Sequence, residues 1–330
     1  LLQKKRLDTG RLEQLISIYI ATSQLLYYIV LSNIWEEQNK GKFKAADDFL
    51  AENEMSPERF ASFDYLGKVI DLYQALEDQE SFIFMPELEA FTDLLQEDSF
   101  EKKAWNYLEG LRKQWPSFPP AEVETSCLRA EQALTVLLKS VAFLADYRML
   151  TIRDIQIDNP RFSTVSYMME LGRLNAIVDT GLSLYQDESR RRKTTYTNRN
   201  SIILVQQEND LGYSLNLSPF IIDKNAFLNH EAIDPYVFVY EKEGHFHYLA
   251  ARHSLFSALQ NDTGTDLIHT GLSHEDFHEG RNITQAQKAD DDFFGALFAE
   301  PATTSKRTPV FDLLEAQFEH FKSSFTSIKS

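Results

Sequence analysis

The feature that most constrains this chain is a change of hydrophobic period near residue 148. Before it, apolar residues recur every three or four positions, as on one face of a helix. Phe60, Phe63, Leu66, Val69, Ile70, Tyr73 and Leu76 form one such series. After it, Thr151-Ile152-Arg153-Asp154-Ile155-Gln156-Ile157 alternates, as a half-buried strand does, and Asp158-Asn159-Pro160 follows as a turn. A chain with helical period first and strand period second reads as α+β. We expect an N-terminal all-α helical bundle over 1–147 and a mostly antiparallel β-unit over 148–252. A loop-rich tail with a C-terminal helix should occupy 253–330.

Local signals refine this. Ser56-Pro57-Glu58 looks like a helix start, with Ser as cap and Pro in the first turn. Pro86-Glu87-Leu88 opens a further helix, 99–114 another, and 121–147 a long one after the prolines at 116, 119 and 120. Strands are expected at 162–171, 201–205, 213–217, 236–240 and 245–249, with Glu243-Gly244 turning the last two into a hairpin. With 151–157 these make one sheet of about six strands. The polar, basic stretch 186–200 reads as a protease-sensitive loop. Phe311, Leu314, Phe318 and Phe321 fall on one face of the last helix, 309–325. Phe143 and Tyr147 should be buried where the helices meet the sheet.

From Gln14 to Asn33 there is no charged residue, nearly enough length to cross a bilayer. Ser17, Thr22, Ser23, Gln24 and Ser32 draw a polar stripe along it, so a buried bundle helix is expected and no membrane span. The net charge of −17 repels phosphate backbones, which argues against general nucleic-acid binding. The single cysteine, Cys127, excludes an intrachain disulfide and fits a reducing, cytoplasmic setting. It reads as a packed thiol. The chain opens on Leu1-Leu2, which suggests a piece of a longer polypeptide.

Seven of the eight histidines lie between His230 and His278. His274-Glu275-Asp276-Phe277-His278 matches H-E-x-x-H, in which two histidines one turn apart bind zinc and the glutamate acts on the metal-bound water. Ser273 with Asp276 resembles a capping box, and Gly280 ends the segment, so the helix would be about two turns long. That is too short and too acidic for the zinc-hydrolase context. The expectation is therefore no cofactor, with zinc on His274 and His278 and Glu275 as base kept as the alternative. His245 and His247 share a strand face and, with His253, form a second possible metal set. Arg190-Arg191-Arg192-Lys193, with Arg199 nearby, is the basic cluster suited to an anion or an acidic partner. No phosphate-binding glycine motif, no G-x-S-x-G and no Arg followed four to seven residues later by His is present.

Phe143-Leu144-Ala145-Asp146-Tyr147-Arg148, Ile152-Arg153-Asp154-Ile155, Leu215-Asn216-Leu217-Ser218-Pro219-Phe220-Ile221-Ile222 and Tyr248-Leu249 resemble an accessory region of large multidomain bacterial signalling and defence proteins. The resemblance covers about residues 125–250. It implies a binding or regulatory role for a helical bundle running into a small β-unit, and no catalytic residue. The first reading is thus a non-catalytic interaction, sensing or regulatory module whose partners are other protein domains or subunits. A zinc-dependent hydrolase and a small-ligand-binding protein using the sheet and basic loop are the alternatives.

Overall fold

The computed structural model describes residues 7–60, 62–115, 117–158, 166–174, 189–193, 199–206, 211–229, 233–251, 267–273, 276–277 and 309–326. The fold is α+β: N-terminal helices, two small antiparallel sheets and a C-terminal helix. Helix α1 (Thr9–Asn39) is its axis. The Asp8 side chain caps its first turn by accepting from the Arg11 N–H at 2.9 Å. Its end is a left-handed glycine, Gly41 (φ +67°), with the Lys42 N–H returning to the Glu37 carbonyl at 2.9 Å. α1 is long and apolar enough to cross a membrane, and 72% of its apolar window is buried within this fold. Here it serves as a core helix.

The polar stripe explains how such a helix is held. Ser17, Thr22 and Ser23 donate back to carbonyls one turn earlier. Gln24 and Tyr28 both donate to the Phe238 carbonyl, at 3.1 and 2.8 Å. Asn33 donates to the Phe82 carbonyl at 2.9 Å and accepts from the Phe84 N–H at 2.7 Å. Buried side-chain polar groups thus tie α1 to a strand and to an irregular segment, where each would otherwise carry a desolvation penalty.

Around α1 stand α2 (Phe49–Asn53), α3 (Tyr65–Asp78), α4 (Leu88–Gln96), α5 (Phe100–Gln114) and α6 (Val123–Ser140). The helix expected from Ser56 begins instead at Tyr65. Ser56 spends its hydroxyl on Glu58 and supports a single turn, whereas the Asp64 carboxylate accepts from the Gly67 N–H and caps α3. Phe60 and Phe63 are buried all the same. α6 also stops early. Ala142–Asp146 tightens into a 3-10 turn and Tyr147 turns the chain into strand β1 (Arg148–Asp158). Tyr147 is buried, with its hydroxyl donating to Glu87 at 2.8 Å, but Phe143 is only half-buried. The 3-10 winding moves residue 143 off the face that α-helical spacing would bury.

The single sheet expected from the sequence is two sheets. The first has the order β3-β2-β1-β4-β5, with β2 (Ser166–Arg173), β3 (Ser189–Lys193), β4 (Ile202–Val205) and β5 (Ser214–Asn216). The second runs β6-β7-β8-β9: β6 (Ile221–Asp223), β7 (Pro235–Lys242), β8 (His245–Ala250) and β9 (Leu267–His269). The chain leaves the first sheet at the turn Ser218-Pro219-Phe220, where Pro219 has no N–H to offer a ladder. A short helix, α7 (Lys224–Phe227), follows β6. Glu243 and Gly244, at φ +55° and +81°, turn β7 into β8, with Lys242 opposite His245.

β4 is buried on both faces. Ile202 and Leu204 join the helix-side core, while Ile203 and Val205 join Leu150, Ile152, Met169, Leu171 and Leu211 in a smaller core on the other side. The main core is continuous from the helices through the second sheet to the last helix, α8 (Asp312–Phe325). Aromatic rings dominate its centre. Phe220 stacks on Tyr28 (5.2 Å, 3°) and meets Phe321 edge-on, and Phe246 stacks on Phe318 at 3.8 Å. Phe311, Leu314, Phe318 and Phe321 are all buried.

Candidate functional site

Among the described residues, the densest group of imidazoles lies where the second sheet meets α8. Strand alternation puts His245 and His247 on one face of β8. β9 sets His269 directly opposite His247. The His245 and His269 rings are 5.7 Å apart between centroids, and those of His247 and His269 5.4 Å. One turn into α8, Glu315 reaches back, with its Oε1 3.1 Å from His245 Nδ1. The Thr270 hydroxyl donates to the same oxygen at 2.6 Å and accepts from the Phe246 N–H, so a fully buried threonine fixes the carboxylate to the sheet. The Gly271 N–H donates to His269 Nδ1 at 3.2 Å, which puts the proton of a neutral His269 on Nε2.

The three imidazoles are not alike. His245 is the exposed one. His247 stacks on Tyr240 at 4.6 Å, and its Nδ1 is buried without a hydrogen-bond partner. Burial first, then the neighbouring His269, Lys242 and His245, push its pKa down to about 4. Burial and His245 also lower His269, against an opposing pull from Asp276 and Glu315.

A pH dependence follows for His247. Its folded pKa lies below its ordinary value of 6.5, so between those values the unfolded chain binds a proton that the folded chain refuses. The stability that neutral His247 contributes is complete above about pH 6.5 and is lost as pH falls towards about 4. Because the ring is only partly shielded, the expected loss is about 1–2 kcal/mol. Urea unfolding across that range, in chelator so that no ion competes with protons, should give a steeper acid decline for the native chain than for His247→Phe. Parallel declines would contradict this origin.

His253, His274, Glu275 and His278 lie outside the described residues. Beside them, Ser273 donates through both its N–H and its hydroxyl to Asp276, which is one half of the capping box suggested by the sequence; the Asp276 N–H goes to the Ser273 carbonyl and not to its hydroxyl. Among the described residues no three His, Cys, Asp or Glu side chains are already arranged around one metal position. Arg190, Arg191, Arg192 and Lys193 lie on β3, an edge strand paired with β2, where a loop was expected. In that pairing Arg190 falls opposite Glu170 in register. Arg199 is exposed and donates to the Arg153 carbonyl. Cys127 is fully buried, its thiol donating to the Asp8 carbonyl, and burial raises its pKa. Such a thiol is a packing group.

A second buried polar centre sits inside the helices. Glu109 accepts from the Tyr19 hydroxyl at 3.0 Å and from Arg112 through both carboxylate oxygens, and Arg112 also donates to the Ser62 carbonyl at 3.1 Å. These partners belong to α1, α5 and the loop before α3, so the centre braces the bundle.

Two members of the histidine group escape sequence reasoning. His269 sits on a three-residue strand in a segment that reads as loop. Glu315 is 70 residues from His245 and carries no motif. No protein-family model, curated protein or solved structure matches the chain.

Proposed function

We propose that this chain is a non-catalytic interaction or regulatory module of a larger bacterial signalling or defence protein, and that it engages an acidic segment of another domain or subunit. The observation that carries this reading is the position of Arg190-Arg191-Arg192-Lys193. Four consecutive cations stand on the edge strand of the first sheet, in a chain whose net charge is −17. An edge strand is where a sheet meets a partner chain, and its charge selects the partner. The resemblance over about residues 125–250 supports the same reading. Because β1 joins the bundle directly through Tyr147, a partner bound at this sheet pulls on the helices with little slack.

The probe is a fluorescein-labelled acidic peptide of alternating Glu and Val, followed by anisotropy. Saturable binding is expected, weakening as ionic strength rises from about 0.01 M to about 0.15 M. The double reversal Arg190→Glu/Arg192→Glu should weaken it at least about tenfold, ~1.4 kcal/mol. Absence of binding, or equal binding by the reversed chain, would remove the basis for this surface.

A further inference from the structure

The hydrogen bond from the Gly271 N–H to His269 Nδ1, 3.2 Å long, exists in one protonation state of the ring. It needs a bare Nδ1, and Nε2 then carries the proton of the neutral imidazole. A second proton can go only to Nδ1. Two N–H groups would then point at each other across 3.2 Å. The turn is too close to absorb this, since a Cβ placed on Gly271 would fall 3.1 Å from His269 Nδ1 and 3.0 Å from the His245 ring. The same turn fastens β9 to its surroundings. The Thr270 N–H donates to the Phe246 carbonyl at 3.2 Å, the Phe246 N–H donates to the Thr270 hydroxyl at 3.2 Å, and the Val310 N–H donates to the Leu272 carbonyl at 2.9 Å.

We propose that His269 and Gly271 form an acid-operated clasp, whose protonation breaks the turn and frees β9, the edge strand of the second sheet, from β8. His247 reinforces it. Its ring lies opposite His269, 5.4 Å away, and its buried Nδ1 has no hydrogen-bond partner, so a proton placed there meets no acceptor. Lys242 and His245 add like charge beside His247, and His245 does so beside His269. Tyr240, stacked on His247, brings no charge, because burial raises its pKa. Asp276 and Glu315 face His269 and pull the other way, and burial together with His245 outweighs them. Both imidazoles thus refuse in the closed strand a proton that they accept once it opens, and acid below about pH 6.5 drives opening. Release bares the backbone edge of β8, the row of groups that a sheet offers to another chain. The clasp belongs to the second sheet and the basic edge strand to the first, so the fate of one does not decide the other.

The test is amide hydrogen exchange of the full chain, expressed as protection factors at constant ionic strength. Between about pH 7.5 and about pH 5, the Phe246, Thr270 and Gly271 amides should lose at least about tenfold in protection. The Phe238 amide, bonded to the Phe220 carbonyl in the same sheet, should keep its protection. His269→Asn puts an amide oxygen where Nδ1 stands, which accepts from Gly271 and does not titrate. It should hold the clasp shut at both pH values. His247→Phe keeps the stacked ring and should leave a shallower loss. In the native chain, the Gly271 amide resonance should move with the same midpoint as the His269 ring, and this reading needs no variant. Unchanged protection in acid, a loss shared equally by Phe238, a loss as steep in His269→Asn as in the native chain, or a Gly271 resonance indifferent to His269 would overturn the clasp.

Discussion

Phe220→Ala is expected to destabilise the protein by about 3–5 kcal/mol, the cost of deleting a fully packed aromatic ring and leaving a cavity. Phe220 is 2% exposed. Its ring lies flat on Tyr28 of α1 and meets Trp35, Phe318 and Phe321 edge-on, so one side chain of the turn between the sheets touches both the first helix and the last. None of these neighbours can close the void without moving a whole element. Urea unfolding should show the loss as a lower midpoint at an unchanged slope. Phe143→Ala, which removes a half-buried ring, should cost clearly less. Equal costs would mean that the junction at residue 143, and not the ring seam, carries the packing.

Glu109→Ala is the second large effect, again about 3–5 kcal/mol. The reason is different. Arg112 is 5% exposed, and without Glu109 its guanidinium is left in the interior with only part of its hydrogen bonding. The Tyr19 hydroxyl loses its acceptor at the same time. Replacing both charges, as Glu109→Met/Arg112→Leu, should recover most of the loss, since well-packed apolar pairs often match buried ion pairs. If the double replacement is as damaging as the single one, the pair contributes more than mutual neutralisation.

The architecture was legible where a residue's environment depends on its near neighbours. The period change at residue 148, the proline-marked opening of α4, the helix expected over 99–114 and the Glu243-Gly244 hairpin are all local signals, and each appears in the fold. The uncharged stretch of α1 reads as a buried helix because its polar stripe needs partners, and Gln24 and Asn33 find them in distant backbone. What escaped depends on contacts far apart in the chain. Two sheets in place of one follows from where the chain turns at Pro219, which alternation cannot reveal. β3 looks like loop because its run of cations hides strand pairing that the distant β2 supplies. The candidate site was half visible: His245 and His247 share a face by spacing alone. His269 and Glu315 reach them only through the β8–β9 pairing and the packing of α8.

The central claim is that the helices, the second sheet and α8 share one core built on α1. Differential scanning calorimetry of the native chain and of Phe220→Ala tests it most directly. One transition is predicted, with calorimetric and van't Hoff enthalpies in agreement and the whole peak moved to lower temperature by the substitution. Two resolved transitions, of which Phe220→Ala shifts only one, would show that the helices and the second sheet fold as separate bodies and contradict the account.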